Sequence, residues 1–311
     1  MSIDKFNRHP TIEGDVIMAQ FLQQLINGIS LGSIYALLAL GYTMVYGIIK
    51  LINFAHGDIY MVGAYIGYAV TKYLGLGFMP ALLISMAACG VLGILIEKLA
   101  YKPLRNSSRI STLITAIAVS LFIEYTMMFF VKPDSRTFPK VLSNNKVDLL
   151  GGEVLLDIKN IYIILVTIVL MILLQYIVNK TKIGKAMRAV ALDKDAAQLM
   201  GVDIDKTISF TFLIGSALAG AAGVLVGVYY NTINPLMGTT PGLKAFISAV
   251  LGGIGIIPGA VFGGFFLGMV ETLVSAYGNS IFKDAVAFSI LIIVLLVKPD
   301  GLLGKAVKEK V

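Results

Sequence analysis

Ionisable side chains set inside long apolar runs are the residues of this chain most able to do chemistry. Asp58, Glu124 and Glu271 each stand among apolar residues, and His56 precedes Asp58 by two positions. A charge in lipid is costly, so each carboxylate should face protein or a water-filled path. Pairing or hydrogen bonding inside a helix bundle explains each of them equally well, and three separated carboxylates are not in themselves a proton relay.

Standard catalytic and metal-binding patterns are absent from the sequence. It contains no H-E-x-x-H, no G-x-S-x-G and no C-x-x-C. His56 has no second histidine near it, which favours a structural role in a turn over a metal ligand. Gly184-Lys185 and Gly304-Lys305 are each followed by Ala, so neither forms a phosphate-binding loop. We therefore predict no enzyme activity, no catalytic residue, no metal site and no cofactor in this chain, so any ATP that drives it would be used by another subunit.

Composition and hydropathy predict the elements that hold these residues. Hydrophobic residues make up 57% of the chain and charged residues only 14%, against about 25% charged in a typical soluble domain. A helix needs roughly 20 residues to cross a bilayer, and several apolar blocks of the sequence reach that length. The blocks are 17–49, 58–73, 78–96, 111–131, 161–178, 207–230, 243–276 and 281–297. They predict an all-α polytopic membrane protein with about eight transmembrane helices. One domain, 17–298, would lie between a polar N-terminal tail, 1–16, and a basic cytoplasmic tail, 299–311.

Two of the blocks do not fit a single upright helix. Block 17–49 holds 33 residues, or about 50 Å of helix, which predicts an interfacial helix, a strong tilt, or a break near Gly41 or Gly47. Block 243–276 contains a glycine-rich run with a proline that an intact helix should not accommodate. This run predicts a re-entrant or broken helix near 243–260.

The charge pattern predicts which connections share a side of the membrane. Lys and Arg collect in 98–109, in 180–206 and after residue 297, which the positive-inside rule places in the cytoplasm. Segment 132–160 is nearly balanced and segment 231–242 is uncharged, so both are expected outside. The chain must then cross an odd number of times after 242, which favours a re-entrant hairpin over block 243–276.

The glycine-rich run of block 243–276 is one candidate for the lining of a water-filled path, and a short sequence repetition adds a second. Ile52-Asn53-x-x-x-Gly57 and Ile233-Asn234-x-x-x-Gly238 share I-N-x-x-x-G, and transporters often place their sites where internal repeats meet. Non-helical backbone at membrane depth is tolerated where it lines such a path. The residues predicted to line it are Asn53, His56, Gly57, Asp58, Gly252, Gly253, Gly255, Pro258 and Gly259, together with the small-residue helix over 209–228.

The charged segment 180–206 is predicted to carry a short docking helix. Asp193 is a suitable N-cap, Asp195 in the first turn complements the helix dipole, and Gly201 is a natural stop. Ala196, Ala197 and Met200 would share one side by helical spacing. Such a short helix is marginal alone, so it should pack into a groove of a partner; a position on the membrane surface is the alternative.

Several stretches resemble one transporter family. Asp195-Ala196-Ala197-x-x-x-Gly201 resembles the E-A-A-x-x-x-G loop of ABC importer permeases, with Asp in place of Glu. Segments 27–37 (NGISLGSIYAL), 51–58 (LINFAHGD), 184–190 (GKAMRAV) and 251–260 (LGGIGIIPGA) are similar to the LivH-type permeases of branched-chain amino acid ABC importers. The resemblance covers roughly residues 18–304.

The resemblance implies the working assembly. It implies a LivM-like second permease, two cytoplasmic ATPase subunits that use ATP and Mg, a periplasmic substrate-binding protein, and a place in the bacterial inner membrane. The residues that it implies for coupling to the ATPase are Gly184, Arg188, Asp193, Asp195, Ala196, Ala197, Met200 and Gly201. The alternatives are a permease for urea or short-chain amides, an ion-coupled secondary transporter that uses Asp58, Glu124 or Glu271, and a polytopic membrane enzyme.

Overall fold

Helices dominate the computed structural model, which describes residues 10–105, 107–142, 146–149 and 154–304. The α-helices of these residues are α1 (Pro10–Ile49), α2 (His56–Tyr73), α3 (Phe78–Ile96), α4 (Arg109–Val131), α5 (Ile158–Lys180), α6 (Lys182–Leu192), α7 (Lys194–Leu199), α8 (Ile204–Tyr230), α9 (Thr239–Gly252), α10 (Ile257–Tyr277) and α11 (Lys283–Val297). A π-helical turn, Glu97–Tyr101, and a 3-10 turn, Lys102–Leu104, extend α3, and a second 3-10 turn, Ser280–Phe282, precedes α11.

Short strands in the described residues occur in connections between these helices. Strands β1 (Arg136–Thr137) and β4 (Thr232–Ile233) form one antiparallel pair, and β2 (Lys146–Leu149) and β3 (Val154–Asp157) form another. The predicted helical fold class is thus confirmed.

Several of these helices are suited to cross a membrane. Within the described part of the chain, seven helical segments are long and apolar enough to do so, and they lie in α1, α3, α4, α5, α8, α10 and α11. Helix α2 has 18 residues, which is within the range of a short span. The prediction of about eight transmembrane helices is confirmed, and the chain is a multi-pass membrane protein.

The first helix extends the predicted block 17–49 toward the N-terminus and ends with it at Ile49. It begins at Pro10, so residues 10–16 of the predicted polar tail are helical; residues 1–9 lie outside the described part of the chain. It also continues without a break to Ile49, so neither Gly41 nor Gly47 interrupts it. Gly41 serves packing instead, because a methyl group there would overlap the ring of His56.

Small residues set the distances between the central helices. A Cβ atom on Gly32 of α1 would lie 2.8 Å from the Cα of Phe265 in α10. A Cβ atom on Gly63 of α2 would lie 2.6 Å from the Cα of Gly220 in α8. Because real Cβ atoms do not approach backbone so closely, these glycines are required for the observed packing. The small-residue ridges of the sequence therefore bring helix backbones together, as such motifs do in membranes.

Contacts between connections support the predicted grouping of the loops. The pairing of β1 with β4 joins segment 132–160 to segment 231–242, the two regions expected outside. At the opposite end, Lys102 lies 2.6 Å from Asp205, and Arg105 also pairs with Asp205. Those contacts join segments 98–109 and 180–206, the two regions expected in the cytoplasm.

The glycine-rich run breaks block 243–276 as predicted. Helix α9 ends at Gly252, and α10 begins at Ile257 with Pro258 in its first turn. The turn between them uses positive φ values at Gly253 (103°) and Gly255 (95°), which glycine adopts without strain. With 14 residues, α9 is about 21 Å long, too short to cross the roughly 30 Å hydrocarbon core.

Candidate functional site

The two I-N-x-x-x-G segments fold into the same capped turn. In each, the Asn side-chain oxygen accepts a hydrogen bond from the backbone N–H two residues later, at 3.1 Å for Asn53 and 3.0 Å for Asn234. In each, the Asn carbonyl accepts from the N–H three residues later, at 3.1 Å and 3.2 Å. One turn leads into α2 and the other into α9, so the sequence repetition corresponds to a structural one.

These two turns meet inside the bundle. A methyl group on Gly57 would overlap the carbonyl of Gly238, and one on Gly238 would overlap the backbone of Gly57. The neighbouring His56 ring packs against Gly41, which in turn contacts Gly215 of α8. Gly215 lies eleven residues after Ile204, where α8 begins, or about 16 Å along a helix of about 40 Å. The meeting point is therefore close to the middle of the bundle.

A cavity of about 220 Å³ opens beside this meeting point. Its walls come from α1, from segment 54–58, from one face of α4 and from the start of α9. Two carboxylates, Asp58 and Glu124, line it together with Ser120. Two of the three carboxylates singled out in the sequence thus share one cavity, although Glu124 was not among the residues predicted to line the path.

Asp58 is held in place by its surroundings. Its side chain is buried, and Ser120 of α4 donates a hydrogen bond to Oδ2. It stands in the first turn of α2, where the helix dipole favours a negative charge. Within the described residues, neither Asp58 nor Glu124 forms an ion pair.

His56 and Asn53 have packing roles and lie outside the cavity wall. The His56 ring meets Tyr42 edge to face, with ring centroids 4.6 Å apart, and no hydrogen bond to Asp58 is present among the described residues. The Asn53 side-chain oxygen accepts a hydrogen bond from Tyr101 at 2.9 Å. The place of His56 and Asn53 in the path stays a prediction.

The glycine-rich turn lies at another place in the bundle. Leu302 and Leu303 donate backbone hydrogen bonds to Leu251 and Gly252, at 2.8 Å and 3.2 Å, and so tie the turn to the loop after α11. Gly255 lies near Gly47, close to the end of α1. The structure does not bring the predicted path residues of this turn to the cavity; they are Gly252, Gly253, Gly255, Pro258 and Gly259. Their position in the path stays a prediction.

Glu271 belongs to a buried ion pair that the sequence analysis missed. Lys244 of α9 lies 2.7 Å from Glu271 and 2.6 Å from Asp284, and both Lys244 and Glu271 are only 3% exposed. The Tyr35 hydroxyl donates a further hydrogen bond to Glu271 at 2.8 Å. Lys244 was overlooked because it stands alone in an apolar block. The available signal was its opposite charge to Glu271 in that same block, since both needed a partner in lipid.

Helix α6 is fixed to the end of α5. Thr181 accepts a hydrogen bond from the Gly184 N–H at 3.0 Å and so caps α6. A methyl group on Gly184 would overlap the carbonyls of Ile177 and Val178. The Arg188 guanidinium donates to the Val178 carbonyl. Gly184 and Arg188 therefore attach the segment to α5 and need not contact a partner themselves.

Both predicted caps of α7 are confirmed. Asp193 Oδ1 accepts from the Ala196 N–H at 2.9 Å, which satisfies a free donor of the first turn. Gly201 has φ +82°, and the N–H of Val202 donates to Ala197 O at 3.0 Å. Asp195 lies in the first turn as expected.

The predicted shared face of α7 is wrong in one respect. Ala197 is buried at 4% exposure, whereas Ala196 is exposed and Met200 is 84% exposed. Ala197 therefore packs against this chain itself, because the tight turn at Gly201 returns the backbone toward α8. Three apolar side chains around α7 are left uncovered: Leu192, the last residue of α6, and Leu199, each 89% exposed, and Met200, which follows α7. We call these three the α7 apolar surface.

The α7 apolar surface is joined to α8 by short connections. Asp203 caps α8, because its carboxyl accepts a hydrogen bond from the Lys206 N–H at 3.0 Å. The Lys206 ammonium lies 2.9 Å from the same carboxyl. Both contacts hold the pKa of the Asp203 carboxyl below its usual value. Near the start of α8, buried Glu97 pairs with Arg105 and accepts from Ser209 at 2.7 Å. Movement of α7 would thus be passed to α8 and to the end of α3.

Known proteins match this chain over most of its length. The family model described as the permease component of the branched-chain amino acid transport system matches residues 24–295. The high-affinity branched-chain amino acid permease LivH of Salmonella typhimurium is 42% identical over 305 residues, covering 94% of this chain and 98% of LivH. The high-affinity branched-chain amino acid permease BraD of Pseudomonas aeruginosa is 42% identical over 301 residues, with the same coverage.

A further relative matches with lower identity. A probable LivH of Methanocaldococcus jannaschii is 31% identical over 286 residues, covering 88% of this chain and 89% of its own length. The family match and these identities confirm the resemblance that the sequence stretches indicated. The chain belongs to the permease component family of branched-chain amino acid transport systems.

Proposed function

We propose that this chain is one permease subunit of an ABC importer for branched-chain amino acids in the bacterial inner membrane. It would pair with a LivM-like permease, bind two cytoplasmic ATPase subunits that use ATP and Mg, and receive substrate from a periplasmic binding protein. The observation that carries the proposal is the α7 apolar surface, because two leucines and a methionine exposed together at the end of α6 and the end of α7 mark an interaction site.

The geometry suggests how force would enter the bundle. A closing ATPase dimer would move α7, which is linked to α5 through α6 and to α8 through the turn at Gly201. Helix α8 packs along α2 and α3, so its displacement would reach the central cavity. No residue of this chain would form or break a covalent bond in this cycle.

The docking role is tested with Leu199→Glu and Met200→Glu in the complete reconstituted transporter. We expect the paired variant to lose ATPase binding and ATP-driven leucine uptake, since burying two unpaired carboxylates at an interface core is strongly unfavourable. Leu303→Glu is the matched control, because Leu303 is a half-exposed leucine in the loop after α11. Normal ATPase binding and uptake in the paired variant would show that α7 does not dock.

Two further measurements separate the proposal from its alternatives. Competition of leucine, urea and acetamide for ATP-driven uptake distinguishes an amino acid importer from an amide importer. Uptake by this chain alone in liposomes under an ion gradient, without any ATPase, would contradict the ABC mechanism.

A further inference from the structure

Two carboxyl groups line the cavity between α2, α4 and α9, and neither forms an ion pair with a basic side chain among the described residues. Elsewhere in the described residues, the buried carboxylates within helices have basic partners: Glu97 pairs with Arg105, and Glu271 pairs with Lys244. Asp58 and Glu124 have no such partner, although both line the same cavity. Asp58 is buried and Glu124 is half-buried. Because buried charges in proteins are ordinarily paired or bound to a ligand, these two side chains are suited to receive a cationic group of a bound molecule.

A second polar group faces the same space without a partner. Tyr42 is only 4% exposed and lines the cavity, yet its hydroxyl makes no hydrogen bond among the described residues. The hydroxyl lies beside Gly242, since a Cβ atom built there would be 3.6 Å from it. Because Tyr42 lines the cavity, its hydroxyl is available to a bound molecule, as tyrosine hydroxyls usually find a hydrogen-bond partner.

The remaining wall limits the size and character of that molecule. The cavity of about 220 Å³ is smaller than the roughly 300–1,000 Å³ of a drug-sized site. Ile117 and Leu121 of α4 and Leu243 of α9 make its other side apolar. An inorganic divalent cation fits poorly, because Ca²⁺ takes six to eight oxygen ligands and the described residues contain no cluster of three metal-binding side chains. A small primary ammonium compound with an apolar chain fits both walls.

The start of α9 completes the charge pattern. The helix begins at Thr239, which borders the cavity, and its positive end favours an anion. A molecule with an ammonium group, a carboxylate and a branched apolar chain would thus meet a complementary group at each part.

We infer that this cavity is a binding site for the substrate amino acid on its way through the membrane. Asp58 and Glu124 receive its ammonium group, the Tyr42 hydroxyl hydrogen-bonds it, and α4 covers its side chain. The inference rests on the proposed import of branched-chain amino acids, and it assigns to Asp58, Glu124 and Tyr42 the recognition of the ammonium group within this chain.

Site protection tests the inference directly. Ile117→Cys is introduced into the complete transporter in nanodiscs without the binding protein, and its alkylation is followed on this chain; the native Cys89 is buried. Leucine and isopentylamine, which both carry the ammonium group, should slow alkylation in the nucleotide-free or the vanadate-trapped state. 4-Methylpentanoate, which lacks it, should not. Phe122→Cys, which is 72% exposed and outside this cavity, is the control that leucine leaves unchanged.

Charge removal gives the second arm. Asp58→Asn with Glu124→Gln should raise the leucine concentration needed for protection roughly tenfold or more, as expected for loss of charge-assisted hydrogen bonds, and should reduce ATP-driven uptake. Asp134→Asn, an exposed carboxylate in the connection after α4, should change neither. Protection by 4-methylpentanoate equal to that by leucine, unchanged protection in the charge-removed variant, or no protection in either state would overturn the inference.

The two proposals fail in different ways. If the unmodified complete transporter imports no leucine, the proposed function is wrong. If it imports leucine but shows no ammonium-dependent protection of Ile117→Cys, only the binding site is wrong.

Discussion

The ion pair between Lys244 and Glu271 is expected to be the most sensitive polar contact in the bundle. Breaking a buried pair by removing one partner costs about 3–5 kcal/mol, because an uncompensated charge stays buried. Here each partner keeps a second contact: Lys244 keeps Asp284 at 2.6 Å, and Glu271 keeps Lys283 at 3.7 Å. We therefore expect the lower end of the range, about 3 kcal/mol, for Lys244→Met and for Glu271→Gln.

The double variant separates the pair from its parts. When Lys244→Met and Glu271→Gln are combined, neither position keeps a buried charge that has lost the other. The amide oxygen introduced by Glu271→Gln can still accept the hydrogen bond that Tyr35 donates at this position. The cost should fall below the sum of the single costs by at least about 1.5 kcal/mol, a coupling typical of residues in one network.

Unfolding in mixed micelles measures these differences as shifts in the free energy of unfolding. Lys283→Met is the matched control, because Lys283 is 40% exposed and lies farther from Glu271; its cost should stay below about 1 kcal/mol. If Lys244→Met costs no more than Lys283→Met, or if the single costs simply add, the buried pair is not the contact that stabilises these helices.

Three further substitutions test other parts of the structure. Gly57→Ala should lower stability by about 1–3 kcal/mol, because the added methyl overlaps the Gly238 carbonyl, whereas Gly77→Ala, with open space around it, should be nearly neutral in thermal unfolding. Asp193→Ala should weaken ATPase binding by about 1 kcal/mol through loss of the α7 N-cap, measured as a change in Kd, and an unchanged Kd would contradict a role for the folded helix. Gly201→Ala should weaken the same Kd by about 1–2 kcal/mol through its φ of +82° alone, since no atom lies within 4 Å of the added methyl; Gly201→Asn should recover part of the loss.

Local signals in the sequence predicted the elements well. The apolar blocks match the helices, and Asp193, Gly201 and the break before Pro258 have the roles that their residue types indicate. These features depend on backbone hydrogen bonding and φ preferences within a few residues. The sequence therefore contains nearly all of the information needed for them.

Long-range contacts were harder to predict. Which of Ala196, Ala197 and Met200 turns inward depends on where α8 lies, and helical spacing alone does not contain that information. Lys244 was missed because its partner is on another helix. The I-N-x-x-x-G repetition was a short match, and only the structure shows that Gly57 and Gly238 touch.

The contact between Gly57 and Gly238 has a consequence for the speed of conformational change. The two glycines meet through their backbones, and the side chain that adjoins the contact is that of Asp58. When α2 and α9 shift relative to each other, the glycines themselves have no side chain to rearrange at their closest approach. The barrier to such a shift would then come from polar contacts nearby, above all the hydrogen bond from Ser120 to Asp58. Strengthening or removing that single bond should change the rate of switching between states more than it changes their structures.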